Sequence, residues 1–328
     1  MRRRDFLKLA GTATLVTVVG VPVSPVLAQG KYPDRAIRLV IPFAAGGSTD
    51  VMGRLFASRM GPLLGQPVVI DLKPGGGGAI GMAEVARVKP DGYTIIYGSS
   101  STHVITPSTS NVAYDPLKDF SHIAIVANQP IAITVNMMVP AKTQREFIAY
   151  AKANPGKVNY GSAGTGSTTH IAGEMFNKLA GTNMTHIPYK GGGNLVTDLV
   201  ADRIQWYPGT TGGMIPLANT GKARVLAVTS EQRMKSYPDI PTSLEAGLPG
   251  MVFGLVTMFS APAGAAKPVI DTLYDSVAKP LLDPAFQAEL MKLGFEPMVG
   301  YTPEKTTAHI KHELSTVGPL AKSLMPKE

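Results

Sequence analysis

Short β-branched and apolar runs recur along the chain at 37–41, 68–71, 93–97, 123–126, 131–135, 158–160 and 224–228, and each reads as a strand. Between them lie helix-length stretches in which apolar residues return every three or four positions, as at Val51, Leu55 and Met60, or Ile171, Met175 and Leu179. Strand followed by helix, repeated, predicts an α/β fold with mainly parallel sheets flanked by helices. After Pro262 and Pro268 the segments 269–282, 284–293 and 303–320 read as helices with no strands of their own to cover, so they are expected to pack back on the first part of the chain. A length of 328 residues exceeds what one hydrophobic core usually serves and predicts two domains.

Several strand-to-helix junctions share one composition: 42–50 (PFAAGGSTD), 73–81 (KPGGGGAIG), 97–102 (YGSSST), 160–170 (YGSAGTGSTTH) and 189–198 (YKGGGNLVTD). Glycine lets the backbone come close to a ligand, and the first turn of a helix leaves amide hydrogens unpaired at its partly positive end. Each loop can therefore hold an anion without a charged side chain. Ser48, Thr49 and Asp50 are equally ordinary helix caps, and one such loop alone reads as a turn; the recurrence points to a ligand.

Other chemistries find less support. No loop carries the lysine of a phosphate-binding P-loop, and Gly164-Thr165-Gly166 lacks the third glycine of a dinucleotide fingerprint. Ser162 lacks the leading glycine of a nucleophile elbow, and histidines 103, 122, 170, 186, 309 and 312 are scattered. No cofactor, metal or catalytic residue is expected, and an exported hydrolase or isomerase acting on a small acid is the competing class. The chain has no cysteine, which excludes disulfides and a cysteine-linked lipid.

The first 28 residues carry a basic head, an apolar run and Val26-Leu27-Ala28, the pattern of a cleavable signal peptide. Arg3-Arg4-Asp5-Phe6-Leu7-Lys8 fits the twin-arginine export pattern, with an ordinary secretory signal as the alternative. Removing this segment takes away Arg2, Arg3, Arg4 and Lys8 against Asp5 and lowers the formal charge from +8 to +5. That excess favours anionic partners, but the basic residues form no stripe of the kind nucleic acid requires.

From Tyr32 to about Ser323 the sequence resembles the Bug family, the periplasmic solute-binding subunits of tripartite tricarboxylate transporters. The resemblance rests on the run from Ile41 to Asp50, on Lys73 to Gly81, and on Lys89-Pro90-Asp91-Gly92-Tyr93-Thr94. It continues through Tyr160 to His170, Ile187-Pro188-Tyr189-Lys190-Gly191-Gly192, Leu226-Ala227-Val228-Thr229-Ser230, and Pro238-Asp239-Ile240-Pro241-Thr242 to Gly247. It implies a two-domain periplasmic binding protein of type II, a Venus flytrap. Domain 1 would span 29–127 and regain the chain at 257–328, with domain 2 at 128–256.

The resemblance also implies a carboxylate held by amides, hydroxyls and water. Its positions here are Phe43, Gly46, Gly47, Ser48, Thr49, Asp50, Ala79, Ser99, Ser162, Gly164, Thr165, Gly166 and His170. Lys190 is a further candidate, with a surface ion pair as its other role. The ligand is expected to be a small mono-, di- or tricarboxylate or an aromatic acid, the protein a soluble periplasmic monomer, and the partners two integral-membrane permease subunits. A binding protein that serves a signalling receptor would carry the same sequence features. The family's acidic residues near 205–210 are replaced here by Gln205-Trp206-Tyr207-Pro208-Gly209-Thr210, so Tyr207 joins the binding candidates while Trp206 reads either as core or as cleft wall.

Overall fold

The computed structural model describes residues 32–325, and the signal peptide read at 1–28 lies outside them. Strand β1 (Ile37–Ile41) buries Ile37, Leu39, Val40 and Ile41 and runs through the first glycine loop into α1 (Ser48–Leu64). Gly65, in the left-handed conformation, ends that helix and sends the chain back as β2 (Val68–Leu72), parallel to β1. Helix α2 (Ala79–Val85) then leads to β3 (Thr94–Ser99), parallel to β1 on its other side. A π-type turn over Ser101–Ile105 continues into the short α3 (Thr106–Thr109).

Strand β4 (Phe120–Asn136) joins the two halves of the molecule. Its next neighbours along the chain are α4 (Gln144–Ala153), β5 (Asn159–Ser162), α5 (Thr168–Ala180), β6 (Thr185–Pro188), α6 (Gly192–Val200), β7 (Trp206–Thr210), α7 (Thr211–Asn219) and β8 (Ala223–Val228). Strand β9 (Gly254–Pro262) follows, then α8 (Lys267–Leu281), α9 (Pro284–Lys292), the two-residue β10 (Glu296–Pro297) and α10 (Pro303–Leu324). Between Phe120 and Pro130, β4 pairs with β9; from Ile131 to Asn136 it pairs with β7 and β8. The sheet order is therefore β2-β1-β3-β9-β4-β7-β5-β6, with β8 and β10 also on β4.

Parallel ladders between strands form the two wings, β2-β1-β3 and β7-β5-β6, and the strands through the centre are antiparallel. The runs at 123–126 and 131–135 are one strand, because Pro130 sits where β4 changes partners and needs no donor there. Strands β6, β7, β9 and β10 lie outside the predicted runs. In β7 the cause is plain: Pro208 and Gly209 are poor strand formers, and the pairing of Trp206 to Thr210 with Val135 to Ile131 overrides local preference. The C-terminal helices do return to the first half, with α8 against α1 and α10 against the turn after β3.

Each half has its own aromatic centre. In the first, Phe56 meets Phe259 and Phe286 edge-on at 5.3 and 5.4 Å. In the second, the fully buried Trp206 lies 4.7 Å from Phe176, 5.3 Å from Tyr160 and 5.7 Å from Phe147. Trp206 is thus a core residue, and strand alternation turns its neighbour Tyr207 to the opposite face. Trp206→Ala is expected to lower stability by about 3–5 kcal/mol, the usual loss for a large buried aromatic, read as a reduced midpoint in urea unfolding.

Candidate functional site

Four helices begin around one small cavity of about 50 Å³. From the first half come Phe43 of the glycine loop, Gly47, Ser48 and Thr49 at the start of α1, and Ser99 and Ser101 after β3. From the second half come Ala163 and Ser167 to Thr169 at the start of α5, Gly192 at the start of α6, and Tyr207 and Thr210 of β7. Leu255 of β9 completes the lining. No lysine, arginine, histidine, aspartate or glutamate lines it.

The helix starts supply the electrostatics instead. Helices α1, α6 and α7 have Gly47, Gly191 and Thr210 at their N-caps and no side-chain cap, so their first-turn amides are left without side-chain acceptors. Helix α5 differs: the Ser167 hydroxyl accepts from His170 N–H at 3.3 Å, and the Ser101 hydroxyl accepts from Thr168 N–H at 3.2 Å. With roughly half a positive charge per helix start, the four together present about two. Thr168 lines the cavity, and its buried hydroxyl has no hydrogen-bond partner among the described residues. A buried hydroxyl left unpaired is costly, which marks it as a group awaiting a ligand atom or water.

The two halves touch through a backbone hydrogen bond and a hydroxyl one. Ala44 N–H donates to the Lys190 carbonyl at 3.3 Å, and the Thr210 hydroxyl donates to Ser48 Oγ at 2.8 Å. A side chain on Gly191 would come 2.7 Å from Ala44 N, and one on Gly193 would overlap the Ala45 carbonyl oxygen. These glycines permit an approach that no other residue allows.

Of the residues expected at the site, Phe43, Gly47, Ser48, Thr49, Ser99 and Tyr207 line the cavity. Gly46, Asp50, Ala79, Ser162, Gly164, Thr165, Gly166, His170 and Lys190 do not. Asp50 instead shapes the loop, accepting from Gly46 N–H at 3.0 Å while Arg54 donates to it at 2.8 Å and offsets its charge. The 73–81 loop that holds Ala79 packs behind the first loop, with Gly78 against Phe43 and Pro42. Lys190 contributes its carbonyl, not its ammonium. Ser101, Ala163, Ser167, Thr168, Thr169 and Gly192 lie inside glycine- and hydroxyl-rich loops legible in the sequence, whereas Thr210 and Leu255 have no local signal. A larger groove of about 850 Å³ borders the same Leu255, but its charges are of both signs, with Glu231, Arg233, Lys235, Glu296 and Glu313 around it.

Residues 52–325 match the model of the tripartite tricarboxylate transporter family receptor. The chain belongs to that receptor family. A UPF0065 protein of Cupriavidus necator is 36% identical over 302 residues, which cover 90% of each chain. The periplasmic binding protein BugD superposes with a TM-score of 0.86 at 35% identity, covering 89% of this chain and 98% of its own. An R. palustris protein solved with adipate gives 0.86 at 32% identity, over 89% of this chain and 98% of that one. The receptor shares with these proteins the two-domain periplasmic binding fold.

Behind the cavity of this receptor, His170 and His186 stack with ring centroids 3.8 Å apart. Gly166 N–H donates to His170 Nδ1 at 3.2 Å, so the proton of the neutral ring sits on Nε2, facing Glu174 at 3.9 Å. His186 Nε2 meets Ser162 Oγ at 2.6 Å, and Gly164 N–H donates to that same oxygen at 3.1 Å. These residues brace the 163–167 loop from its far side. Burial lowers His170 to about 4 and His186 to about 3, the latter also through its charged-state repulsion with His170. Both rings are neutral when folded, so their share of stability is full above the ordinary 6.5 and is lost as the pH falls through about 4 and then about 3.

Two outcomes follow from this geometry. In histidine-resolved NMR, the His170 and His186 ring signals are expected to hold their neutral positions down to pH 5; a midpoint near 6.5 for either contradicts its burial. Gly193→Ala is expected to keep the folded melting temperature of the free protein while preventing full approach of the two loops, measured as a larger radius of gyration than wild type in small-angle scattering.

Proposed function

We propose that this receptor captures a small organic carboxylate between its two lobes and delivers it to a tripartite tricarboxylate transporter. The observation that carries the reading is the charge-free cavity on which four helix starts converge, with Thr168, whose buried hydroxyl is unpartnered, in its lining. An anion there is met by preorganised amides and hydroxyls that need no reorganisation on binding. The adipate held by the related R. palustris protein is consistent with that chemistry.

The lobes in this proposal are residues 29–127 with 257–328, and 128–256. Closure bends the two strands that pass between them, β4 near Asn128 to Ile131 and β9 near Gly254 to Thr257. The 1–28 segment acts as an export signal, the mature chain works as a periplasmic monomer, and the closed form docks on two integral-membrane permease subunits. Among the described residues no helix is long and apolar enough to cross a membrane.

Binding without turnover is supported by the placement of the serine and histidine closest to catalytic geometry. Ser162 is fully buried, its oxygen accepts from Gly164 N–H, and neither it nor His186 lines the cavity. The test is a thermal-shift screen of residues 29–328 against mono-, di-, tricarboxylic and aromatic acids, with sugars and cations as controls. Carboxylates are expected to raise the melting temperature with no product formed; a response to sugars or cations alone contradicts the proposal. Gly47→Val puts a branched side chain where even a Cβ lies 3.4 Å from Gly192 N, and is expected to weaken acid binding about tenfold or more with the fold retained.

A further inference from the structure

We propose that Glu313 of α10, which stands outside the cavity, is a positioning residue for the anion site and acts on it through Ser100. The inference deepens the carboxylate reading above and rests on it. Ser99 and Ser101 line the cavity, whereas Ser100 between them lines the larger groove, as does Glu313. The turn after β3 thus gives two serines to the cavity and the third to the groove.

The Ser100 hydroxyl completes a strand ladder. Strand β3 pairs with β9 as far as Ser99 opposite Thr257, and the next amide of β9, that of Val256, donates to Ser100 Oγ at 3.2 Å. A serine hydroxyl has one proton, and here it goes to Glu313 Oε2 at 2.8 Å, which leaves the lone pairs to Val256. Donation to a carboxylate is charge-assisted, and it makes the same oxygen a better acceptor. Only 15% of the Glu313 side chain is exposed; its other oxygen lies 3.6 Å from His309 Nε2, and among the described residues it pairs with no lysine or arginine. The carboxylate is therefore committed to this hydroxyl and not to a surface ion pair. From Ser100 the effect reaches both lobes. Ser101 Oγ accepts from Thr168 N–H at 3.2 Å, joining the turn to the start of α5, and Val256 lies in the stretch of β9 assigned above to the hinge. One hydroxyl, ordered by Glu313, fixes the turn that supplies Ser99 and Ser101 and the strand beside it.

The experiment compares wild type, Glu313→Ala, Glu313→Gln, Ser100→Ala and the Ser100→Ala/Glu313→Ala double variant, each as residues 29–328. Binding is measured by calorimetry with succinate, adipate, citrate and benzoate, and amide exchange is followed by NMR in the free proteins. Glu313→Ala is expected to weaken the acid that wild type binds best by about fivefold or more, and Glu313→Gln, which keeps an acceptor for the hydroxyl, to stay within about twofold. The double variant is expected to bind no worse than Ser100→Ala, since the two residues act as one unit. In the free protein Glu313→Ala is expected to speed exchange at Val256 and Thr168 and leave the β1-β2 ladder unchanged; general destabilisation speeds both. Wild-type affinity in Glu313→Ala, losses that add in the double variant, or a Gln variant as weak as the Ala variant overturns the assignment and leaves the carboxylate reading standing. Should Glu313→Ala not fold, Glu313→Asp, whose carboxylate is one methylene short of Ser100, takes its place with the same expectations. A wild type silent toward all four acids, with exchange at Val256 and Thr168 still faster in Glu313→Ala, overturns the carboxylate reading and supports the positioning.

Discussion

An anion taken from water into a closed cleft must find donors to replace the water it leaves, and in this receptor no cationic side chain stands in the cavity to provide them. The alternative is to bring several helix starts within reach of one small volume. Each contributes a fraction of a charge and a few amides, so one is weak and four together are not. The architecture follows from that requirement. Helix α1 comes from one half of the molecule and α5, α6 and α7 from the other, and only a chain that crosses between the halves can aim them at the same point. Strand β4 makes that crossing, with one end laddered to β9 and the other to β7 and β8.

Close backbone approach is the second requirement, and it explains the glycines better than a ligand does. Gly191 and Gly193 stand against Ala44 and Ala45, and their missing side chains are what let the two loops meet. Of the glycines at 75–78, Gly78 stands against Thr102, Phe43 and Pro42, and Gly77 against Thr165 and Thr106. Glycine richness at these junctions thus has two physical origins, exposure of amides to a ligand and contact between segments of the protein itself.

A layer of neutralised or neutral groups surrounds the cavity. Asp50 would oppose an anion at the start of α1, but it is turned back onto Gly46 N–H and paired with Arg54. His170 and His186 are kept uncharged by burial and by each other, and their nitrogens are used to fix loop geometry. The field inside the cavity therefore comes from backbone dipoles, whose orientation is rigid because the groups behind them are already hydrogen-bonded. The alternation of β7 sends Trp206 to the core and Tyr207 to the cavity, so the core aromatic anchors the one that lines the cavity.

The sequence by itself determined the local elements, the glycine loops at helix starts and the anion-binding character, since each rests on interactions between residues near one another in the chain. Period and composition marked Gly47, Ser48 and Thr49 as helix-start residues, and family motifs pointed to Phe43 and Ser99. Tertiary structure alone decided which groups meet. It separated Ser162 and His170, which support a loop, from Ser167 and Thr168 a few residues away, which face the cavity. It made β7 a strand despite Pro208 and Gly209, set Trp206 and Tyr207 on opposite faces, and brought in Thr210 and Leu255, for which no local pattern exists. The physical reason is that a cavity is defined by atoms distant in sequence, and its size and donor set depend on the distance at which two halves of the molecule come to rest.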